Sequence, residues 1–362
     1  MNIETKLDLI AKNFKQFLYA SNPHVVKSLK SKGFLEDDIR RIELFDWFQG
    51  VGLYGYYKMY KHTKDQKYLQ IIMEYFDDRI KDGLPSKNIN SMAPMLTMVS
   101  ILDEDNYAKY GEICKEWASW LYNEHPRTLQ GGLSHLTCEA ENRQELWDDT
   151  LFMSVLFLAK AGVVFDKQAY IDEALYQYSL HEYYLSDRVS GLWYHGWTFE
   201  GCHNFSKAFW ARGNAWITIF VPELLDIIGE TNLKRQLLRT YKTQIKSLIS
   251  LSSENGLYHT LLNDNQTYIE ASGSAGIIYG LLKGYNDGLI DCLDHSLLEK
   301  GISSLLACVD EKGLVHGVSA GTAMGHDLDY YRKIPLEAKP YGQALTMLAF
   351  IEYMRGKDEK IL

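Results

Sequence analysis

Two adjacent carboxylates, Asp148 and Asp149, stand at the head of an apolar run in Leu146-Trp147-Asp148-Asp149-Thr150-Leu151-Phe152-Met153. A carboxyl group enclosed by Trp147, Phe152 and Met153 would keep its proton towards neutral pH, as a general acid must. Neighbouring helical residues point roughly 100° apart, so the two cannot face the same way. One could face a cavity while the other caps the helix or meets its dipole, and both could be caps. Periodicity does not choose, because apolar residues continue both stripes.

Two further segments are dense in side chains that bind sugars. Gly191-Leu192-Trp193-Tyr194-His195-Gly196-Trp197 and Phe209-Trp210-Ala211-Arg212-Gly213-Asn214-Ala215-Trp216 interleave aromatics with a His, an Arg and an Asn. Aromatic faces stack on sugar rings, and a guanidinium can hold a carboxylate through two parallel hydrogen bonds. Trp216 lies four residues beyond Arg212, on the same helix face. The alternative for Arg212 is a core ion pair inside an aromatic cluster.

Other patterns carry less. Gly50-Val51-Gly52-Leu53-Tyr54-Gly55 matches GxGxxG, but its flanks are helical and no βαβ unit surrounds it, so close helix packing is expected instead. Gly317-Val318-Ser319-Ala320-Gly321 matches the GxSxG nucleophile elbow without chain enough after it for an α/β-hydrolase. There is no HExxH, EF-hand or phosphate-loop sequence, and His181 beside Glu182 reads as a helix-surface residue. Neither a metal nor a cofactor is expected. The five cysteines are widely spaced with no CxxC, which argues against a zinc knuckle or redox pair.

The elements that must carry these residues are helical. Of 362 residues, 46% are hydrophobic and 23% charged, enough for a sizeable core. Basic residues are scattered in a chain of net charge −9, which excludes nucleic acid and anionic membranes as partners and leaves a small-molecule substrate. The start of the chain lacks the apolar segment of a secretion signal, and the most apolar stretch, 151–165, is too short to span a bilayer, so a cytoplasmic location is expected. Gly-Leu turns recur at Gly83, Gly132, Gly191, Gly256 and Gly313, spaced by 49, 59, 65 and 57 residues. Four continue into a histidine: His135, His195, His259 and His316. Each period fits one helical hairpin, and the length allows about six. An all-α domain over residues 1–362 is expected, either an open solenoid or a closed α/α ring, with the histidine loops gathered on one face.

With LWDDTLFM, GLWYHGWTFEGCHNF, FWARGNAW and Lys339-Pro340-Tyr341-Gly342-Gln343 in this order, the chain resembles the unsaturated rhamnogalacturonyl hydrolases, glycoside hydrolase family 105. The resemblance runs from about Trp47 to Tyr353. It implies an (α/α)6 barrel of six helical hairpins. It also implies an enzyme that hydrates the enol-ether double bond of a terminal 4,5-unsaturated uronic acid on a pectin-derived disaccharide, releasing the neighbouring sugar. Through WxDT it implies Asp149 as general acid and base, with Trp147 beside it and Asp148 structural. It further implies substrate contacts from Asn90, His135, Trp147, His195, Arg212 (through the uronate carboxylate) and Trp216. Some members carry Asp where Asn90 stands, and an amide cannot act as a base. If a second acid is needed, Asp46 and Glu270 are the residues to consider. Alternatives are an unsaturated glucuronyl hydrolase acting on another acidic glycan, a sugar isomerase or epimerase using His195 and His259, and a non-catalytic helical scaffold.

Overall fold

The computed structural model describes residues 2–291, 293–321 and 323–362; Cys292 lies outside the described residues. Twelve of the fifteen α-helices among the described residues form two concentric layers, and their burial follows from their sequences. The outer helix α1 (Ile3–Phe17) buries Leu7, Ile10, Ala11 and Phe14, one stripe at helical spacing. In the inner helix α8, by contrast, every residue from Ala211 to Leu225 is buried. A helix apolar on all sides is stable only where other helices surround it.

The remaining helices are α2 (Trp47–Thr63), α3 (Gln66–Asp82), α4 (Ala93–Ser100), α5 (Tyr107–Asn123), α6 (Leu156–Val164) and α7 (Gln168–Leu185). They continue as α8 (Ala211–Ile228), α9 (Lys234–Leu251), α10 (Ala271–Asn286), α11 (His295–Cys308) and α12 (Pro340–Asp358). The even-numbered helices pack in sequence, α2 on α4, α4 on α6 and so on, and α12 returns to α2. Each odd-numbered helix covers one inner helix from outside. The result is a closed ring of six helix pairs, the expected α/α barrel. Five pairs are hairpins in sequence; the sixth is α12 covered by α1, so the two ends of the chain close the ring together.

The recurrent glycines lie after the outer helices. Gly83, Gly191, Gly256 and Gly313 have φ of 87°, 72°, 81° and 82°, the left-handed region where a Cβ is costly. In the second turn the left-handed residue is Gly131 (φ 77°), one position before the expected Gly132. Each turn feeds the start of an inner helix, so the histidine loops share the end of the ring where the inner helices begin. Two short antiparallel ribbons bind these loops: β1 (Glu145–Trp147) with β2 (Gly196–Thr198), and β3 (Val318–Ser319) with β4 (Leu336–Glu337).

The GxGxxG segment lies inside α2. A Cβ on Gly50 would come 2.5 Å from the Ala93 carbonyl carbon at the start of α4, and one on Gly52 would strike the Phe14 ring of α1. His181 differs from expectation. It is buried rather than on a helix surface, because α7 turns it inward and its Nδ1 meets the Gln177 carbonyl at 2.7 Å. Cys114, Cys138, Cys202 and Cys308 are free thiols. Among the described residues no helix is long and apolar enough to cross a membrane.

Candidate active site

The β1–β2 ribbon joins two of the motifs. Trp147 pairs with Gly196, the Asp148 N–H donates to the His195 carbonyl at 3.1 Å, and the His195 N–H donates to Ala208. WDDT and HGW are therefore held together by backbone register. Directly after Thr150 the chain makes a π-helical turn, Leu151–Val155, before α6 begins, an irregularity frequent at functional sites.

A cavity of about 280 Å³ opens at this end, and Trp47, Asn90, His135, Trp147 and Asp149 are on its wall. The His135 ring lies flat on Trp147, with centroids 4.2 Å apart and planes 5° apart. Its Nδ1 meets Thr150 Oγ1 at 2.8 Å, and burial pushes its pKa down to about 3, so it works as a neutral ring. Trp147 is fixed in turn by donating Nε1–H to Glu145 at 2.8 Å.

The two aspartates divide their roles by exposure. Asp148 is wholly buried, neither of its side-chain oxygens has a hydrogen-bond partner among the described residues, and burial pushes its pKa well above the carboxylate range. Its carboxyl group lies against the α-carbon of Gly213, where a Cβ would come 2.2 Å from Oδ2. The glycine of WARGN thus makes room for the first aspartate of WDDT. Asp149 keeps 14% of its side chain exposed, towards the cavity. Burial pushes its carboxyl up, but His195 and His135 outweigh that and hold it below the usual range. An ionised Asp149 next to a protonated Asp148 amounts to one proton held by a coupled pair.

His195 completes this group. Its Nε2 stands 3.4 Å from Asp149 Oδ2, and its Nδ1 is 2.6 Å from the Tyr331 hydroxyl. That hydroxyl also accepts from the Gly325 N–H, and when it gives its own proton to Nδ1 the ring proton is on Nε2, facing Asp149. All six inner helices also begin at this end, and their N-termini favour an anionic ligand.

Residues 22–357 match the family model of Glycosyl Hydrolase Family 88. The chain belongs to Glycosyl Hydrolase Family 88. It is 31% identical over 317 residues to the unsaturated rhamnogalacturonyl hydrolase YesR of Bacillus subtilis (strain 168), covering 86% of this chain and 90% of that protein. The unsaturated 3S-rhamnoglycuronyl hydrolase of Alteromonas sp. (strain LOR) is 26% identical over 214 residues, 58% of this chain and 51% of the other. The crystal structure of a possible member of GH105 family from Salmonella enterica subsp. enterica serovar Paratyphi A superposes with a TM-score of 0.90 at 39% identity, covering 99% of this chain and 95% of that one. The protein is a glycoside hydrolase similar to the unsaturated rhamnogalacturonyl hydrolases, in agreement with the resemblance carried by its motifs.

In this family 88 hydrolase, Arg212 and Trp216 lie behind the cavity wall rather than on it. Arg212 is fully buried between the rings of Trp210 and Tyr341, at 4.3 and 4.6 Å. Its Nη1 donates to Ser272 Oγ at 2.9 Å and Ser319 Oγ at 2.7 Å, and its Nη2 to the Gly321 carbonyl. Glu270 Oε1 is 3.7 Å from Nη1, so the core ion pair is the arrangement found. Ser319 of the GxSxG segment is consumed in this network, its N–H donating to Glu270. Trp216 is buried against Trp47 and Phe152 and backs the wall from behind. His259 is held by the Thr267 carbonyl at 2.5 Å and is not on the cavity wall; His195 is buried and is not on the wall either, reaching it only through Asp149.

Sequence reasoning set Asp148 aside as structural and missed Tyr331 and Glu145. Among the described residues, Asp148, Asp149 and His195 also form the one group of such side chains close enough to hold a metal ion, their ligand atoms lying within 4.8 Å of one another. A cation there would compete with the proton of the aspartate pair, so its binding would strengthen as pH rises.

Asp46, the N-cap of α2, is buried beside Asn90, and burial pushes its pKa up to about 7. A raised carboxyl contributes stability that is complete below the unfolded-state pKa and lost as pH rises through the folded one. Between about pH 4 and 7 this would remove about 4 kcal/mol. Asp46→Asn keeps a capping oxygen, so its stability relative to wild type should increase with pH across that window. Urea denaturation of both proteins at several pH values measures this, and a constant difference would refute it.

Proposed function

We propose that this hydrolase removes a terminal 4,5-unsaturated uronic acid from a rhamnogalacturonan-derived disaccharide by hydrating its enol-ether double bond. The observation that carries this reading is Asp149, the cavity-facing member of a one-proton carboxyl pair, with His195 beside it. Asp149 receives the pair's proton from Asp148, gives it to C4, and, ionised again, takes one from the water that adds at C5, so the pair ends with one proton as it began. The resulting hemiketal opens, and the neighbouring sugar leaves. One acid/base suffices for this chemistry, so the two-carboxylate separation of ordinary glycosidases does not apply. Asn90 contributes hydrogen bonds to sugar hydroxyls, Trp47 and Trp147 supply ring faces, His135 orients the ligand, and His195 acts on ligand and water through the Asp149 carboxylate it holds. The likeness to YesR over most of both chains supports rhamnogalacturonyl over glucuronyl substrates.

The test is to mix the protein with an unsaturated galacturonyl-rhamnose disaccharide and follow the ultraviolet absorbance of the conjugated double bond. Progressive loss of absorbance with release of rhamnose is expected. Loss only with unsaturated glucuronyl disaccharides would replace the substrate, and no loss with either would overturn the reading.

A further inference from the structure

The cavity is unusual for a site that accepts an anion. Its wall carries three carboxylates, Glu139, Glu145 and Asp149, and among the described residues no lysine or arginine. The guanidinium nearest in sequence to the motifs, Arg212, is sealed behind it. Asp149 is at the inner end, where helix N-termini offset negative charge. Glu139 is exposed at the mouth and Glu145 is half-buried. With the uronate ring placed against Asp149, the leaving sugar must lie towards these two glutamates.

Glu145 is built to stay there. It begins β1 opposite Thr198, and Oε2 accepts from Trp147 Nε1 at 2.8 Å, leaving Oε1 with no partner among the described residues. The carboxyl is pushed up by burial, and Glu200 pushes it in the same direction. The Trp147 bond and the neighbouring His326 oppose them. A pinned carboxylate with one free oxygen accepts hydrogen bonds from sugar hydroxyls and repels sulfate or a second carboxylate.

We infer that Glu145 is the residue that rejects sulfated or carboxylated sugars at the leaving-sugar position. The inference rests on the unsaturated-uronyl reading of the site. It separates this chain from the relatives named for 3S-rhamnoglycuronyl substrates.

The experiment uses two disaccharides, an unsaturated uronyl-rhamnose and the same compound with a 3-sulfate on the rhamnose. Calorimetry on Asp149→Asn measures binding without turnover, and the absorbance assay on the wild type measures kcat/KM. The neutral compound should bind roughly 30-fold more tightly or better, a ratio within reach of one like-charge contact in a partly enclosed site. Asp149→Asn/Glu145→Gln, whose amide oxygen can still accept from Trp147, should narrow that ratio to about three-fold with an unchanged Tm. Equal binding of both compounds, or a ratio that survives Glu145→Gln, would overturn the inference. Turnover separates the two claims: equal hydrolysis of both disaccharides leaves the function standing without the selectivity. Selective binding without hydrolysis by the wild type leaves the selectivity standing and removes the function. Binding of neither compound removes both.

Discussion

Asp149→Asn should lower kcat on the unsaturated disaccharide by about a thousand-fold, inside the range for loss of a general acid–base group. The amide is nearly isosteric and can still accept from His195, so KM should stay within about three-fold. The geometry also specifies a companion result. Asp148 is sealed from the cavity and cannot touch the substrate, yet it holds the proton of the pair through burial. Asp148→Asn removes that store. It should lower kcat by about ten-fold or more and move the alkaline limb of the pH–rate profile to lower pH, because His195 favours ionised Asp149. Rates from the absorbance assay at pH 5 to 9 for the three proteins test both statements. A thousand-fold loss in Asp148→Asn with little change in Asp149→Asn would exchange their roles.

The split between the aspartates shows where sequence reading succeeds and where it stops. WDDT and HGW were legible because each is a short contiguous motif, and the β1–β2 register that joins them involves residues inside those motifs. The barrel was legible because Gly-Leu turns and all-round apolar helices repeat along the chain. The sixth pair was not, since it joins the two ends of the chain. Periodicity could not choose between Asp148 and Asp149 as the buried member, and only the WxDT resemblance pointed to Asp149, because the choice depends on Gly213, more than sixty residues away, leaving space for a carboxyl. Tyr331, whose hydroxyl meets His195 Nδ1, sits in a segment with no motif at all. Glu145 stands just outside LWDDTLFM, and the Trp147 Nε1 bond that pins it is formed only in the fold.

Arg212 gives the second large effect, and it concerns stability. The sequence allowed it to be a carboxylate grip or a core ion pair, and the two make opposite predictions. A residue that grips substrate should, when changed, raise KM and leave Tm nearly intact. The buried guanidinium seen here ties α8 to Ser272 of α10 and to the Ser319–Gly321 segment, with Glu270 as its counter-charge. Arg212→Met should therefore cost about 3–5 kcal/mol, because it leaves a buried carboxylate without its cation. Arg212→Lys should recover only part of this, since an ammonium lacks the planar fork that lies between Trp210 and Tyr341. Adding Glu270→Gln to Arg212→Met should restore roughly 1–2 kcal/mol by removing the orphaned charge, although Glu270 also caps α10 through the Ser272 and Gly273 amides. Denaturant unfolding of the single and double variants reads this coupling directly. If Arg212→Lys unfolds like the wild type while its KM rises ten-fold or more, the guanidinium reaches the substrate, and the closed arrangement around it must open when substrate binds.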